Sequence, residues 1–519
     1  MCITHRGKVI SYMNRCCGVL LPVFSIPSPY GIGTMGKAAY NWIDFLHQAG
    51  QQLWQVLPIG PTSYGDSPYQ SFSAFAGNPY FIDLEMLCEI GLLKRDECVS
   101  LNGLGYDIVI DYEKQYRFRY DILRKAFGRF HDYKRLQDFC AEHEWAKDYA
   151  LFMAIKDEQM GAPWTQWPLP LRTRNGKALA KKRKELHEEV DYYIFLQMIF
   201  FEQWKQLSKY AKEQGVSIIG DIPIYVAMDS ADTWANPDLF QLDAQCRPTA
   251  VAGCPPDAFT ADGQLWGNPL YRWDVMARDG YQWWLDRIRA SLELFDAVRI
   301  DHFRGFESYY AIPYGEVTAK NGKWVKGPGK GLIMAIKQSF PNVQIIAEDL
   351  GFLTQEVKEL LSYSGFPGMK IIQFAFDSRE KSDYIPFKYS RNCVVYTGTH
   401  DNETTLGWIE SVSAESLQYA KSYLMCEDAD KDRCVDLLIT LALSSAADWA
   451  VIPMQDWLHL GREARINTPA TIGENWRWRM KPDVCDAALA HKMRDKAVVY
   501  ERFSEVQQRH FYEIPISAI

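Results

Sequence analysis

Acidic residues stand at the ends of several apolar runs in this chain of 519 residues. Asp301 follows AVRI, Glu348 follows VQIIA, His400 and Asp401 follow CVVYTGT, and Asp221 lies within VSIIGDI. In a parallel barrel, catalytic side chains lie at the carboxyl-terminal ends of the strands, so we expect these residues to face one mouth. The alternative for each single carboxylate is a structural role, in which it caps the next helix or pairs with an arginine.

Such a group of carboxylates suits the cleavage of a glycosidic bond. That reaction requires a proton for the leaving oxygen and a nucleophile for the anomeric carbon. Further negative charge and hydroxyl contacts stabilise the positive charge on the sugar ring in the transition state. A retaining enzyme holds its two principal carboxyl groups about 5–5.5 Å apart. Asp301 and Glu348 belong to successive predicted strands, which can present them at this spacing.

The elements that carry these residues alternate between strand-like and helix-like patterns. The clearest apolar, β-rich runs span residues 53–59, 216–226, 297–303, 343–350, 369–376, 393–399 and 450–454, and a weaker eighth spans 80–86. Nearly continuous apolar character is typical of parallel strands buried on both faces. Eight strands with intervening helices predict an α/β protein with a (β/α)8 TIM barrel, and a doubly wound open sheet is the alternative.

Two segments are longer than a simple barrel requires. We predict a single catalytic domain over residues 1–519, with a mostly helical insertion at 88–205 and a loop insertion at 228–275 that is rich in Pro, Asp and Trp. Loops that follow barrel strands lie on the active-site face, so both insertions are expected to border the substrate cleft.

Composition excludes several classes of protein. The hydrophobic fraction is 47%, which is too high for a disordered chain. The net charge of −8 argues against nucleic acid or an anionic membrane as a partner. The basic run at residues 181–184 is followed by glutamates and is interpreted as a solvated helix face. The most apolar stretch, at 437–447, is too short to span a membrane and predicts a buried helix.

The 12 cysteines are scattered, without a C-x-x-C pair or zinc-ligand spacing. No apolar signal-peptide segment is evident near the first residues, so we expect a cytoplasmic protein with free thiols. The adjacent Cys16 and Cys17 are interpreted as packing residues, with a regulatory disulfide as the alternative. No phosphate-binding loop or metal-ligand cluster is present in the sequence, so no cofactor and no metal is expected.

Several long motifs resemble the amylomaltases, which are also called disproportionating enzymes or 4-α-glucanotransferases, of glycoside hydrolase family 77. The resemblance extends from about residue 18 to 479 and is weakest in the helical insertion. The motifs are GVLLPVFSIPSPYGIGT at 18–34, WQVLPIGPTSYGDSPYQSFSAFAGNPY at 54–80, GDIPIYV at 220–226, AGCPPDAFTADGQLWGNPLYRW at 252–273, FDAVRIDHFRGF at 295–306, IIAEDLG at 345–351, THDNETT at 399–405 and INTPATIGENWRWR at 466–479. Their order along the chain makes the match specific.

The resemblance assigns three catalytic carboxylates. It implies that Asp301 is the nucleophile and Glu348 the general acid and base. It implies that Asp401 binds the hydroxyls of the donor sugar and stabilises its distorted ring. Arg299 matches the arginine that contacts the nucleophile and keeps it ionised, and His400 matches a histidine that bonds the donor sugar. His400 could instead only orient Asp401.

The resemblance also implies four further substrate-binding residues. Asp221 matches an aspartate that shapes the donor site, and Asn467 matches an asparagine that lines the cleft. Tyr69 matches a tyrosine that stacks under the donor ring, and Trp266 matches a residue that lies over the acceptor side. Tyr69 could instead be a packed core residue, and Trp266 could be a structural loop anchor.

The expected activity is retaining transfer of an α-1,4-glucan segment from a malto-oligosaccharide donor to glucose or another α-glucan. An α-1,4-glucan hydrolase that uses the same acids is one alternative, and a glucan-binding protein with an inactive barrel is another. Glu403, Cys254 and Ala470 depart from residues common in the family, but no chemical role is lost with them. The sequence does not indicate an oligomeric state.

Overall fold

The computed structural model describes residues 15–63, 65–98, 108–256, 261–351, 353–379 and 381–503. The strands are, in chain order, β1 (Cys16–Leu20), β2 (Leu53–Gln55), β3 (Ser217–Ile222), β4 (Ala250–Cys254), β5 (Gln264–Pro269), β6 (Ala297–Ile300), β7 (Ser308–Pro313), β8 (Lys323–Lys326), β9 (Ile345–Ala347), β10 (Gly368–Ile371), β11 (Cys393–Tyr396) and β12 (Trp449–Pro453).

Eight of these strands form a closed barrel in the order β1-β12-β11-β10-β9-β6-β3-β2. Every pairing around the barrel is parallel, and nearly all of its strand residues are buried. The predicted (β/α)8 fold is therefore confirmed, and the doubly wound open sheet is excluded.

One predicted strand is wrong. Residues 80–86 form the end of a 3₁₀ turn (Pro79–Phe81) and the start of an α-helix (Leu84–Glu89) instead of a strand. Local capping explains the difference: the side chain of Asn78 accepts a hydrogen bond from the N–H of Tyr80, and that of Asp83 accepts one from the N–H of Met86. The barrel is completed by β1, which pairs with both β12 and β2.

The α-helices pack outside the barrel and in the segments between its strands. They span Lys37–Gln48, Leu84–Glu89, Tyr112–Lys114, Tyr120–Phe127, Tyr133–Glu142, Trp145–Glu158, Leu169–Arg172, Gly176–Glu185, His187–Glu213, Ala231–Ala235, Trp273–Met276, Gln282–Leu294, Lys330–Ser339, Gln355–Ser364, Thr405–Ser411, Ala414–Tyr423, Lys431–Ser444, Met454–Trp457 and Ala487–Val499. Shorter 3₁₀ turns span Val23–Ser25, Pro79–Phe81, Arg95–Cys98, Trp164–Gln166, Pro237–Leu239, Ala277–Asp279, Phe303–Phe306, Ile372–Phe376, Pro386–Lys388 and Arg462–Ala464, and one π-helical turn spans Gln115–Arg119.

A second, antiparallel sheet has the order β5-β4-β7-β8. Its first two strands follow barrel strand β3, and its last two follow β6. Segments that follow barrel strands lie at the carboxyl-terminal mouth, so this sheet borders the same opening as the strand-end carboxylates.

Several smaller predictions can be compared with the structure. The apolar stretch at 437–447 lies largely within the helix Lys431–Ser444, and the basic run at 181–184 lies on the helix Gly176–Glu185, mostly exposed to solvent. Cys16 and Cys17 are buried free thiols, as the packing interpretation requires. Across the described ranges, no helix has both the length and the apolar character that a membrane span requires.

The pairing of β1 with β2 leaves no room for a side chain at Gly18, which lies opposite Leu53. A Cβ atom at Gly18 would lie 2.1 Å from the backbone oxygen of Leu53. We expect Gly18→Ala to lower the free energy of unfolding by about 1–3 kcal/mol, because the barrel must shift to accept the methyl group. Urea denaturation followed by circular dichroism measures this change.

Gly176 provides the matched control, since a Cβ there would meet nothing within 4 Å. Gly176→Ala at the start of an exposed helix should leave stability unchanged or raise it by about 0.4–1 kcal/mol. Equal stability of Gly18→Ala and the parent protein would contradict the close strand contact.

Candidate active site

Four acidic residues reach the carboxyl-terminal mouth of the barrel from different strands. Asp221 lies on β3, Asp301 follows β6, Glu348 follows β9 and Asp401 lies in the loop after β11. Neighbouring strands are about 4.8 Å apart, and the last residues of β6 and β9, Ile300 and Ala347, are register partners. Asp301 and Glu348 are the next residues of these two strands and therefore leave the barrel side by side.

Arg299 links two of these carboxylates beneath the mouth. Its Nη1 donates to both carboxylate oxygens of Asp221, at 2.9 and 2.7 Å, and its Nη2 donates to Oδ1 of Asp301 at 2.8 Å. The hydroxyl of Tyr69 donates to the same Asp221 carboxylate at 2.8 Å. The Arg299 side chain is only 4% exposed. Burial opposes its charge, but the two carboxylates outweigh burial and raise the pKa of Arg299.

Glu348 is held by two backbone donors. The N–H of His302 donates to its Oε2, and the N–H of Leu350 donates to its Oε1, both at 2.7 Å. His302 has a φ of 53°, in the left-handed region that non-glycine residues rarely adopt, and its N–H points at the carboxylate from this conformation. Burial and the charge of Asp301 raise the pKa of Glu348 to about 7, although Arg299 and the backbone donors oppose the shift.

Asp301 lies in a different electrostatic environment from Glu348. Burial raises its pKa, Arg299 opposes that shift, and the charges of Asp221 and Asp401 add to it. The Asp301 side chain keeps 30% of its surface exposed and receives a charge-assisted hydrogen bond from Arg299. The hydrogen bonds that the described residues make to Glu348 come from backbone N–H groups, so we expect a proton shared between the two acids to favour Glu348.

The pKa of Asp401 is shifted in the opposite direction from the pKa values of Asp301 and Glu348. Burial opposes its charge, but His400 and a hydrogen bond from Asn467 outweigh this effect and lower the pKa of Asp401 to about 2. Nδ2 of Asn467 donates to Oδ1 of Asp401 at 2.6 Å, and Nε2 of His400 lies 3.3 Å from the same oxygen. Asp401 in turn raises the pKa of His400 against the effect of burial. This contact also satisfies the alternative in which His400 orients Asp401.

Aromatic rings connect the Asp221 side of the site with the Asp401 side. The ring of Tyr69 stacks on that of His400, with centroids 5.1 Å apart and an angle of 17° between the planes. Trp476 contacts both rings, at 5.7 and 5.9 Å. Tyr69 is partly exposed, which distinguishes it from a fully packed core residue.

Trp266 lies on β5 of the second sheet and reaches the site through His302. Its ring contacts His302 edge-on, with centroids 4.8 Å apart and planes at 88°. Its indole N–H donates to Oε1 of Gln264 at 3.0 Å. Trp266 is partly exposed and contacts the loop that carries Asp301 through His302.

The structure brings the predicted site residues to one mouth. Hydrogen bonds and ring contacts join Tyr69, Asp221, Arg299, Asp301, His400, Asp401 and Asn467, while Glu348 and Trp266 adjoin them through His302. Sequence reasoning did not single out His302, Trp476 or Arg465, although all three contact site residues. Their only sequence signal was membership of, or proximity to, the quoted motifs.

The site is built around carboxylates. Across the described residues, no three His, Cys, Asp or Glu side chains are grouped so that they could hold a metal ion. A closed parallel barrel with two adjacent carboxyl groups, one hydrogen-bonded to a guanidinium and one held by backbone N–H groups, and a third carboxylate across the mouth is the class of site that glycoside-processing barrel enzymes use.

Comparison with known proteins identifies the family. Residues 21–485 match the model of the family described as Glyco_hydro_77, 4-alpha-glucanotransferase, and the chain belongs to this family. A curated 4-alpha-glucanotransferase from Clostridium butyricum is 47% identical over 485 residues, which cover 92% of this chain and 99% of that protein. One from Thermus thermophilus is 46% identical over 502 residues, covering 94% and 99% of the two chains.

A solved structure shows the same relationship. The amylomaltase from Streptococcus agalactiae, which was solved in complex with acarbose, matches with a TM-score of 0.91 and 38% sequence identity. The match covers 94% of this chain and 100% of that one.

The pKa of Glu348 should depend on the charge of Asp301. We expect Asp301→Asn to lower the pKa of Glu348 from about 7 toward its ordinary value, because the substitution removes a negative charge beside the carboxyl group. Carbon-13 NMR titration of labelled glutamate carboxyl groups measures this pKa, and the spectrum of Glu348→Gln assigns the signal.

Asp401→Asn is the matched control, because Asp401 is not among the principal charges that act on Glu348. It should change the Glu348 titration less than Asp301→Asn does. An unchanged or higher Glu348 pKa in Asp301→Asn would contradict the proposed coupling.

Proposed function

We propose that this chain transfers segments of α-1,4-glucan from a donor malto-oligosaccharide to the 4-hydroxyl of glucose or another α-glucan, with retention of configuration. The observation that carries the proposal is the pair formed by Asp301 and Glu348. One carboxylate is hydrogen-bonded to a buried guanidinium, and the other has a pKa of about 7. This asymmetry supplies a nucleophile and an acid at the same sugar ring.

In the first half of the cycle, protonated Glu348 gives its proton to the departing glycosidic oxygen. Asp301 attacks the anomeric carbon at the same time and forms a glycosyl-aspartate. Arg299 donates a 2.8 Å hydrogen bond to Oδ1 of Asp301 and opposes the rise in the pKa of Asp301 that burial causes, and this bond leaves Oδ2 of Asp301 available for attack. As the ester forms, Asp301 loses its charge, and Glu348 becomes ionised by giving up its proton.

In the second half, the 4-hydroxyl of an acceptor sugar enters at the position of the leaving group. Glu348 removes its proton, and the oxygen displaces Asp301 from the anomeric carbon. The two inversions restore the α-linkage. The cycle consumes no water and requires no cofactor, because bonds of equal type are broken and formed.

The remaining predicted residues are proposed to bind the donor and acceptor. Asp401 is ionised at neutral pH and can accept hydrogen bonds from donor hydroxyls, with His400 and Asn467 beside it. The Tyr69 ring, which stacks on His400, offers an apolar face to the donor ring.

Trp266 is proposed to cover the acceptor position. It contacts the loop whose backbone N–H holds Glu348, and the proton donor lies on the leaving-group side of the scissile bond. A flat ring at this position favours a bound sugar over water, which favours transfer over hydrolysis.

We further propose the domain division and the cellular setting. The chain would act as one catalytic domain, with the insertions at 88–205 and 228–275 bordering the cleft. Every cysteine within the described residues is a free thiol, which fits a reducing cytoplasm. Nucleic acid is not expected as a partner at a net charge of −8.

Digestion of maltotriose tests the proposed activity. A transferase converts maltotriose into glucose and a ladder of longer oligosaccharides, because each released segment is attached to another sugar. Separation of the products by chromatography measures this distribution. Only shorter products would indicate the alternative α-1,4-glucan hydrolase, and no conversion would indicate an inactive glucan-binding barrel.

The role of Glu348 predicts a specific pH dependence. The acid is protonated below its pKa of about 7, so kcat/KM should fall as the pH rises through this value. Glu348→Gln should lower the rate by about 10²–10⁴-fold and remove this alkaline limb. Initial rates of maltotriose disproportionation at different pH values measure both effects.

Glu307→Gln is the control for this experiment, because Glu307 lies near Asp301 in the chain but pairs with Lys326. Its pH profile should match that of the parent protein. An alkaline limb that persists in Glu348→Gln would assign the proton donor to another group.

A further inference from the structure

Two loops meet at the third carboxylate of the site. The loop after β11 carries His400 and Asp401, and the loop after β12 carries Asn467. The N–H of Asn467 donates to the backbone oxygen of His400 at 3.1 Å, and its side chain donates to Asp401 at 2.6 Å. The position of Asp401 therefore depends on how these two loops are held against each other.

Arg465 contacts both loops with one side chain. Its Nη2 donates to the backbone oxygen of Asp401 at 2.7 Å, and its Nε donates to the backbone oxygen of Asn467 at 2.8 Å. Its Nη1 donates to Oε2 of Glu403 at 3.3 Å. The side chain is 22% exposed, so this geometry is largely enclosed by protein.

The hydrogen bonds described in the rest of the second loop, residues 468–475, stay within that loop and do not reach Asp401. Residues 468–474, which follow Asn467, are exposed to solvent. Within this loop, Oδ1 of Asn475 accepts a hydrogen bond from the N–H of Thr468 at 2.9 Å, and the N–H of Trp476 donates to the backbone oxygen of Ile466 at 2.7 Å. Arg465 is thus the side chain that ties this loop to the backbone of Asp401.

Glu403 has a second cationic partner. The role of Arg465 in pairing with Glu403 can therefore be separated from its role in holding the two loops together. The Glu403 side chain is 9% exposed, and Nε of Arg462 donates to its Oε2 at 3.0 Å. The Arg462 side chain is 71% exposed, and its contact described in the structure is with Glu403. If Arg465 were lost, Glu403 would still be paired, so the buried charge alone would not unfold the loop.

We propose that Arg465 is a positioning residue for glucan transfer, which holds the Asp401 carboxylate and the Asn467 amide in the geometry that binds the donor sugar. This inference rests on the proposed function. The planar guanidinium suits the task, because its nitrogens point in fixed directions toward two backbone oxygens and one carboxylate. A lysine ammonium is a compact point charge and cannot reproduce this set.

The test compares Arg465→Lys and Arg465→Met with the matched control Arg462→Met. Both Met variants remove one arginine from Glu403, but only Arg465→Met also removes the hydrogen bonds to the two backbone oxygens. We expect Arg465→Met and Arg465→Lys to lower kcat for maltotriose by about 10- to 100-fold, since small misplacements of a catalytic group have effects of this size. Arg462→Met should stay within about twofold of the parent protein.

A second measurement separates positioning from general destabilisation. Binding of acarbose, the ligand in the solved relative, should weaken in Arg465→Met and not in Arg462→Met, while the thermal midpoints of the two variants stay similar. Millimolar guanidinium ion should restore part of the activity of Arg465→Ala, because it can occupy the vacated position. Guanidinium should not stimulate Arg462→Ala.

Three results would overturn the proposal. They are full activity of Arg465→Met, equal losses in the Arg465 and Arg462 variants, and activity losses that follow the thermal midpoint. If Arg465→Ala fails to fold, Arg465→Lys decides the question, because it keeps a charge near Glu403. Failure of the proposed function can be distinguished from failure of this inference. In the first case the parent protein itself would form no longer oligosaccharides from maltotriose.

Discussion

A buried guanidinium is the interaction on which the rest of the site depends. Arg299 can remain buried and charged only because Asp221 and Asp301 flank it, and these three residues come from two paired strands. The register places Asp221 opposite Arg299, and Asp301 projects from the same strand face two residues later. If the pairing of β3 with β6 slipped by one residue, Asp221 would no longer lie on the same face as Arg299 and Asp301. Closure of the barrel therefore fixes the electrostatics of its mouth.

The acids of the mouth differ because their partners differ. Arg299 donates to Asp301, backbone N–H groups hold Glu348, and His400 with Asn467 lowers the pKa of Asp401. One carboxyl group with a pKa of about 7 thus shares the mouth with Asp401, whose pKa is lowered to about 2. The proposed chemistry follows from this arrangement, because protonation of the leaving group and nucleophilic attack require opposite protonation states at one ring.

The sequence predicted most of the barrel because long apolar runs mark strands that are buried on both faces. The sequence patterns did not predict β1, which is five residues long. They predicted an eighth strand at residues 80–86 instead, where the caps Asn78 and Asp83 favour helical turns. The strand-end acids were predictable, since a residue directly after a buried run has a fixed location. His302, Trp476 and Arg465 were not singled out, because their roles arise from a left-handed backbone or from contacts between distant loops.

Chemical trapping of the covalent intermediate tests the central claim most directly. Glu348→Gln should react with α-maltosyl fluoride, whose leaving group needs no proton, but should release the sugar slowly because the general base is absent. Mass spectrometry of the digested protein should then find a glycosyl group on the peptide that contains Asp301. Absence of an adduct, or an adduct on a different carboxylate, would contradict the assignment of Asp301 as the nucleophile.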